Sequence, residues 1–303
     1  MTQSSTTGGA TLGTATERRL FLRQRLARRD ALLVPGAGNA LTARIIQDTG
    51  FEAVYVTGAG IANTLLGAPD IGLVTLTELA GVTEAISEIC TLPLIVDIDT
   101  GFGNAVNTYR TTRVLERAGA CALQIEDQDF PKRCGHFSGK AVIPVSEMTA
   151  KIRAAADARD DANLLIIART DARAIDGLDA ALDRAEQFIE AGADLTFVEA
   201  PTSADEMRAI TARLAVPQVA NMVVGGRTPL LPQETLAEIG FSLVLYANTP
   251  LQAAMRAMSG VLAALKRDGA IDNVIDQLAD FDERQRLVDK SFYDALEQKY
   301  STD

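Results

Sequence analysis

Histidine is all but missing from this chain: His136 is the only one in 303 residues. A zinc site built from several imidazoles is therefore excluded. Cysteine is scarce as well. Cys90, Cys121 and Cys134 are an odd number with no paired spacing, which rules out a CxxC zinc site and fits the reducing cytoplasm, the expected location. No apolar run approaches the length of a membrane span, so no membrane partner is expected. The first twenty residues, rich in Thr, Ser and Gly, lack the apolar centre of a secretory signal, and residues 1–18 are expected to form a loose tail. Positive charge is in deficit. Lys and Arg number 29 against 40 Asp and Glu, a net charge of −11, which argues against nucleic acid as a partner. Local cations still suffice to bind a small anion.

The apolar content of 47% and charged content of 23% are those of a globular enzyme. The interior alternates short Val/Ile/Leu-rich runs with longer amphipathic stretches. Strands are expected at 31–35, 53–57, 94–97, 122–125, 164–168, 195–198, 218–220 and 242–246. Helical patterns follow them, for example at 77–90, 108–118, 178–191 and 204–214. Strands apolar on both faces with helices between them indicate a parallel sheet covered by helices. Gly119, Gly192 and Gly240 each close a helical stretch just before a strand. Eight such units predict a (β/α)8 TIM barrel over residues 19–267. The alternative is an open doubly wound sheet, for which Pro35-Gly36-Ala37-Gly38-Asn39 is only a loose phosphate turn. Residues 268–303 read as extra C-terminal helices. Their apolar positions Val274, Leu278, Leu287, Phe292 and Leu296 are expected to pack on the barrel or, less simply, on a neighbouring subunit.

In a barrel the C-terminal strand ends build the active site. There the second strand delivers Thr57-Gly58-Ala59-Gly60 and a loop to Asp70, the third Asp97 and Asp99, the fourth Glu126, the fifth Arg169, the sixth Glu199, the seventh Asn221 and the eighth Asn248. Asp70, Asp97, Asp99 and Glu126 are hard oxygen donors with no histidine among them, which suits Mg²⁺ or Mn²⁺. Asp97 and Asp99, two apart, would face the same way on a regular strand. The plainer reading is that they cap the next helix or pair with Arg169. Thr57 to Gly60 offers backbone N–H groups for a carboxylate. Arg169 can grip a carboxylate with two parallel hydrogen bonds, or else hold Glu126 or Asp97 in an ion pair.

Between the fourth and fifth strands lies Asp127 to Lys140, DQDFPKRCGHFSGK. Phe130-Pro131 and Ser138-Gly139 mark it as a loop. Lys132 and Arg133 precede Cys134 and favour its thiolate, Gly135 lets the backbone bend, and His136 follows. The bland reading is a solvated basic loop with an incidental thiol.

KRCGH at 132–136, after IED at 125–127, with VDIDTGFG at 96–103 and ARTDA at 168–172, resembles the isocitrate lyase/phosphoenolpyruvate mutase superfamily over residues 32–267. The loop motif resembles that of its carbon–carbon lyase branch. The resemblance implies a (β/α)8 barrel whose last helix is exchanged between subunits, usually in a homotetramer. It implies Mg²⁺ held directly by Asp97, with Asp70, Asp99 and Glu126 acting largely through waters. Tyr55, Thr57, Gly58 and Ala59 match the substrate-binding edge of the second strand, and Arg169 and Asn221 match substrate ligands. Lys132, Arg133, Cys134, Gly135 and His136 match the loop that closes on substrate. The implied reaction is cleavage of a small 2-hydroxy di- or tricarboxylate, methylisocitrate-like or dimethylmalate-like, to a 2-oxo acid and a carboxylate. Tyr55 would be the base, as phenolate, and Cys134 the general acid. A carboxyphosphonoenolpyruvate phosphonomutase-type isomerase carries a similar loop, and an oxaloacetate hydrolase would use the same metal site. Two positions depart from the family pattern. Val224 stands where the lyases often have an acid, and Gly38 stands where many members have an aromatic residue, as if the pocket wall were open there.

Overall fold

The computed structural model describes residues 13–132 and 141–302. Its strands are β1 (Leu32–Ala37), β2 (Val54–Val56), β3 (Leu94–Asp97), β4 (Ala120–Glu126), β5 (Leu165–Thr170), β6 (Leu195–Val198), β7 (Val219–Asn221) and β8 (Leu243–Tyr246). They form one parallel sheet in the order β6-β5-β4-β3-β2-β1-β8-β7. β1 pairs with both β2 and β8, and a parallel bridge from Thr196 to Gln218 joins β6 to β7. Thr196 Oγ1 also donates to Gln218 Oε1 at 2.9 Å across that joint. The ring is therefore closed, and the open doubly wound alternative is excluded. Gly119, Gly192 and Gly240 have φ of 103°, 108° and 102°, the left-handed backbone expected where a helix turns back into a strand.

Period-two alternation decides what the barrel holds. Tyr55, Ile95, Ala122, Leu165, Ile167, Leu195, Phe197, Val219, Leu243 and Leu245 form one buried cluster, inside the ring. Val54, Val56, Leu94, Val96, Leu123, Ile166 and Ala168 belong to another, between the strands and the surrounding helices. Counting two residues along each strand from its inner members reaches Thr57, Asp97, Glu126, Arg169, Glu199 and Asn221. The inner face thus turns from apolar to polar at the C-terminal strand ends. At the other end the helix Ala15–Leu26 sends Leu22 and Leu26 into the inner cluster, and its Arg19 donates to the carbonyls of Ala120 and Glu116 at 3.0 and 2.8 Å. This helix begins four residues inside the stretch read as tail. A Thr14–Glu17 capping box starts it, which outweighs the low apolar content of that segment.

Of the apolar positions singled out in the C-terminal part, Val274 is buried, Leu287 and Leu296 are half-buried, and Leu278 and Phe292 are exposed. In the long helix Thr249–Asp268 only Ala264 is buried, while Met255, Met258, Leu262 and Leu265 face outward. These four residues form an apolar stripe at helical spacing that the barrel of the same chain does not cover.

Candidate active site

The acid cluster sits in the barrel mouth. Lys132, 3% exposed, places its ammonium against Asp70 and against Asp99 Oδ1, the latter at 2.8 Å. Burial works against the ammonium charge, but Asp99, Glu126, Asp97 and Asp70 outweigh it and push its pKa up. Burial also pushes the Asp99 carboxyl up from 3.8 to about 6, with Lys132 pulling the other way. Glu126 is driven well above the ordinary carboxylate range by burial, against Arg169 and Lys132. Asp97 and Asp99 do not share a strand face, because β3 stops at Asp97 and Asp99 turns left-handed at φ 47°. The turn, held by Asp99 N–H donating to Asp97 Oδ1 at 3.2 Å, still brings the two together. A β-carbon on Gly58 would lie 3.2 Å from Asp99 Oδ1 and 3.4 Å from Asp97 Oδ2. Lys151 supports this turn from outside by donating to the Thr100 carbonyl at 3.2 Å.

Arg169 faces the acids. Its Nε and Nη2 reach Asp171 at 2.9 and 3.1 Å, its Nη1 reaches Glu126 Oε2 at 3.2 Å, and Nε lies 3.7 Å from Glu199. The guanidinium carbon stands 5.3 Å from the centre of the Phe197 ring. Burial opposes the charge, and Asp171, Glu126 and Glu199 more than restore it. Asn221 Nδ2 lies 3.5 Å from Glu199 Oε2, and its Oδ1 is buried with no donor among the described residues. Tyr55 is buried beside Asp97. Burial first, then the Asp97 charge, push its phenol well above its ordinary range, and the phenol hydrogen-bonds Asp97.

Tyr55, Thr57, Ala59, Asp70, Asp97, Lys132, Arg169 and Asn221 line one cavity of about 60 Å³. Gly58 backs the acid pair, and Asp99 and Glu126 lie behind it. The Thr57 hydroxyl caps the short helix Gly58–Ile61 by accepting from Gly60 N–H at 3.3 Å. Arg133, Cys134, Gly135 and His136 lie outside the described residues. The other side of the cavity is Phe197, Val223, Leu245 and Ala247, with Glu199 and Asn248. Its apolar members were missed, because apolar strand residues look alike whether they fill a core or face a ligand. A larger cleft of about 570 Å³ lies beside the mouth, between Leu73, Phe102, Phe130 and Lys151, without the acid cluster.

The two departures are also placed. Val224 is exposed beside Thr249, Gln252 and Arg256, away from the acids. Gly38 does not open the wall. A β-carbon there would lie 2.5 Å from the Gly60 carbonyl carbon, so the loops after β1 and β2 are packed backbone on backbone.

Among the described residues no three Asp, Glu, His or Cys side chains meet at one point as a closed metal site. The donors nevertheless suit a hard divalent cation. They are carboxylate oxygens, they are buried, and Glu126 Oε1 has no donor among the described residues. The ammonium of Lys132 supplies the positive charge such an acid cluster requires.

A sequence model described as phosphoenolpyruvate phosphomutase matches residues 22–266. The chain is 42% identical over 281 residues to a 2,3-dimethylmalate lyase from Eubacterium barkeri, covering 93% of this chain and 97% of that protein. It is 45% identical over 259 residues to a 2-methylisocitrate lyase from Aeropyrum pernix, covering 86% and 83%. Among solved structures, a crystal structure of 2,3-dimethylmalate lyase, itself described as a PEP mutase/isocitrate lyase superfamily member, superposes with a TM-score of 0.86 at 35% identity, covering 93% of this chain and 94% of that one.

Proposed function

The chain belongs to the phosphoenolpyruvate phosphomutase family, within the isocitrate lyase superfamily, and from that premise we propose that it is a divalent-metal-dependent carbon–carbon lyase. Its substrate is a small 2-hydroxy dicarboxylate bearing alkyl groups, or a tricarboxylate of similar size. The observation that carries this reading is the pairing, across one small cavity, of the buried Arg169 with the cluster of Asp70, Asp97, Asp99 and Glu126. Arg169 and Asn221 take the substrate carboxylate. The apolar wall of Phe197, Val223, Leu245 and Ala247 takes alkyl substituents and favours a dimethylmalate-like substrate over one with a third carboxylate.

Asp97 would hold Mg²⁺ or Mn²⁺ directly, with Asp70, Asp99 and Glu126 completing the acid set around it. When bound, the cation supplies the charge that acidifies the substrate hydroxyl and stabilises developing negative charge. Tyr55 receives the hydroxyl proton as a phenolate, a state that positive charge beside Asp97 makes accessible. The bond between C2 and C3 then breaks, leaving a 2-oxo acid and a carboxylate enolate. Cys134 returns a proton to the enolate carbon, with Lys132, Arg133, Gly135 and His136 beside it in sequence. The exposed apolar stripe of helix Thr249–Asp268 supports a homo-oligomer, of which a tetramer is the expected form. The free cysteines Cys90 and Cys121 support a cytoplasmic location.

The test is 2-oxo acid release from dimethylmalate, methylisocitrate, isocitrate, citramalate and oxaloacetate by the full chain with Mg²⁺. Release that disappears with EDTA and with Cys134→Ser is the expected outcome. Turnover of oxaloacetate alone, or of none of the five, refutes the lyase reading, and phosphonates are then the substrates to try.

A further inference from the structure

Arg169 is not held by Asp171 alone. The N–H of Asp171 donates to Asp127 Oδ1 at 2.9 Å, and the hydroxyl of Thr170 donates to Asp127 Oδ2 at 2.7 Å. Asp127 is 0% exposed, and the charged donor to its carboxylate is Arg184 Nε at 2.9 Å. Arg184 comes from outside the ring, on the helix Leu178–Glu190, with its guanidinium carbon 5.8 Å from the Phe188 ring centre. A continuous line of charge-assisted contacts therefore runs from the outer helix through Arg184, Asp127 and Asp171 to Arg169.

The same two residues hold a second piece of chain. Arg184 Nη2 donates to the Ile143 carbonyl at 2.7 Å, and Ile143 N–H donates to the Asp127 carbonyl at 2.9 Å. The segment so pinned is antiparallel to the end of β4, through the Gln128–Val142 bridge and Asp129 N–H to the Ala141 carbonyl at 2.9 Å. Asp127 thus spends its carbonyl on this segment, and its N–H, which donates to the Arg169 carbonyl at 3.2 Å, and its side chain on the Arg169 support. One fork of Arg184 serves each. A residue needed only to neutralise a buried carboxylate has no cause to register a second strand with its other prong.

We propose that Arg184 and Asp127 are a positioning pair for Arg169, fixing the angle at which its guanidinium meets the substrate carboxylate and registering it with the segment that follows β4. The pair touches no substrate, and the assignment rests on the reading of Arg169 as the carboxylate anchor. Losing the Arg184 fork frees Asp127 to tilt, Asp171 follows, and the guanidinium loses its preset orientation. Small displacements of an anchoring group lower affinity steeply, so a loss of about tenfold is expected.

The experiment measures oxalate binding by calorimetry on the full chain with saturating Mg²⁺, and Mg²⁺ binding alone, for wild type, Arg184→Gln, Arg184→Lys and Thr170→Val. Oxalate is a planar dianion shaped like the enolate of a 2-oxo acid. Arg184→Gln is expected to weaken oxalate about tenfold with Mg²⁺ affinity within about threefold of wild type. Arg184→Lys, which keeps one prong, recovers part of the loss. Where the wild type turns over a substrate, KM rises with the oxalate constant and kcat falls less. Oxalate affinity unchanged in a folded Arg184→Gln overturns the proposal, and so does an equal loss of oxalate and Mg²⁺. If Arg184→Gln does not fold, Thr170→Val removes a neutral donor from the same carboxylate. A measurable weakening of oxalate there supports the proposal, and none overturns it. A wild type that binds Mg²⁺ but not oxalate refutes the anchor reading of Arg169 itself, a result distinct from failure of the pair.

Discussion

Replacing Asp99 by Asn tests how the acid cluster is balanced. The carboxyl is raised from 3.8 to about 6, with burial as the largest cause. A shift of roughly two units at about 1.4 kcal/mol each is about 3 kcal/mol. The native state binds this proton more tightly than the unfolded chain does. The stability tied to Asp99 is therefore fully present below pH 3.8, falls as pH rises to about 6, and stays lost above it. Asparagine does not titrate, and it tolerates the left-handed backbone at φ 47°. Lys132 keeps Asp70 as a partner in the variant. With EDTA present, the unfolding free energy of Asp99→Asn minus that of wild type should rise by about 3 kcal/mol between pH 4 and pH 8. Urea denaturation followed by circular dichroism across that range gives the curve. A difference that stays flat or falls with pH would refute the claim that burial outweighs Lys132 at this carboxylate. With Mg²⁺ added, wild type should regain about 2.7 kcal/mol at a hundredfold excess over the dissociation constant, and the variant less.

Lys132→Met removes the ammonium that Asp70 and Asp99 share, leaves buried carboxylates uncompensated, and should cost about 3–5 kcal/mol at pH 8 in EDTA, part of it restored by Mg²⁺; unchanged stability in EDTA would show that the ammonium is not the balancing charge. Gly38→Ala forces a β-carbon to within 2.5 Å of the Gly60 backbone and should cost about 1–3 kcal/mol by thermal unfolding, whereas Gly81→Ala, in helix Leu76–Ile89 with open space around it, should gain about 0.5–1 kcal/mol. A reversed order of the two would contradict the loop packing. Leu262→Asp, at a position 62% exposed on helix Thr249–Asp268, should lower the mass seen by light scattering while leaving the circular dichroism of the fold in place; an unaltered mass would remove that helix from any subunit interface.

The strands were legible because each is a short apolar run ended by glycine or polar residues, and the helices between them have their own period. Once the barrel was recognised, alternation along β2 to β7 carried Thr57, Asp97, Glu126, Arg169, Glu199 and Asn221 to the mouth without further information. What failed was local or distant. The two-residue spacing of Asp97 and Asp99 suggested a shared strand face, but the ladder ends at Asp97 and a turn does the work. Lys132 was read as one cation among several in a loop, and nothing in its neighbours says that it is buried among acids. Arg184 is 57 residues from Asp127 and one arginine among many, so no pattern joins them. The apolar positions of the C-terminal helices, such as Leu278 and Phe292, were plain in the sequence, but an apolar position carries no record of which surface covers it.

The ring of strands is uneven. From β2 to β5 the ladders are continuous apart from one register shift between β3 and β4, at Leu94/Ile95, and the neighbouring strands carry Asp97, Glu126 and Arg169. Between β6 and β7 there is, among the described residues, no continuous ladder, only the Thr196–Gln218 bridge, the bond from Thr196 N–H to the Pro217 carbonyl, the Thr196–Gln218 side-chain bond and the Asn221–Glu199 contact just past the joint. The barrel thus behaves less like a hoop than like a clasp. In the proposed reading its better-paired arc carries the charges a substrate meets, and its seam lies under the apolar wall of Phe197, Val223, Leu245 and Ala247. Changes of residue or spacing at the seam can reshape that wall while the opposite arc, and the chemistry set on it, stays where it is.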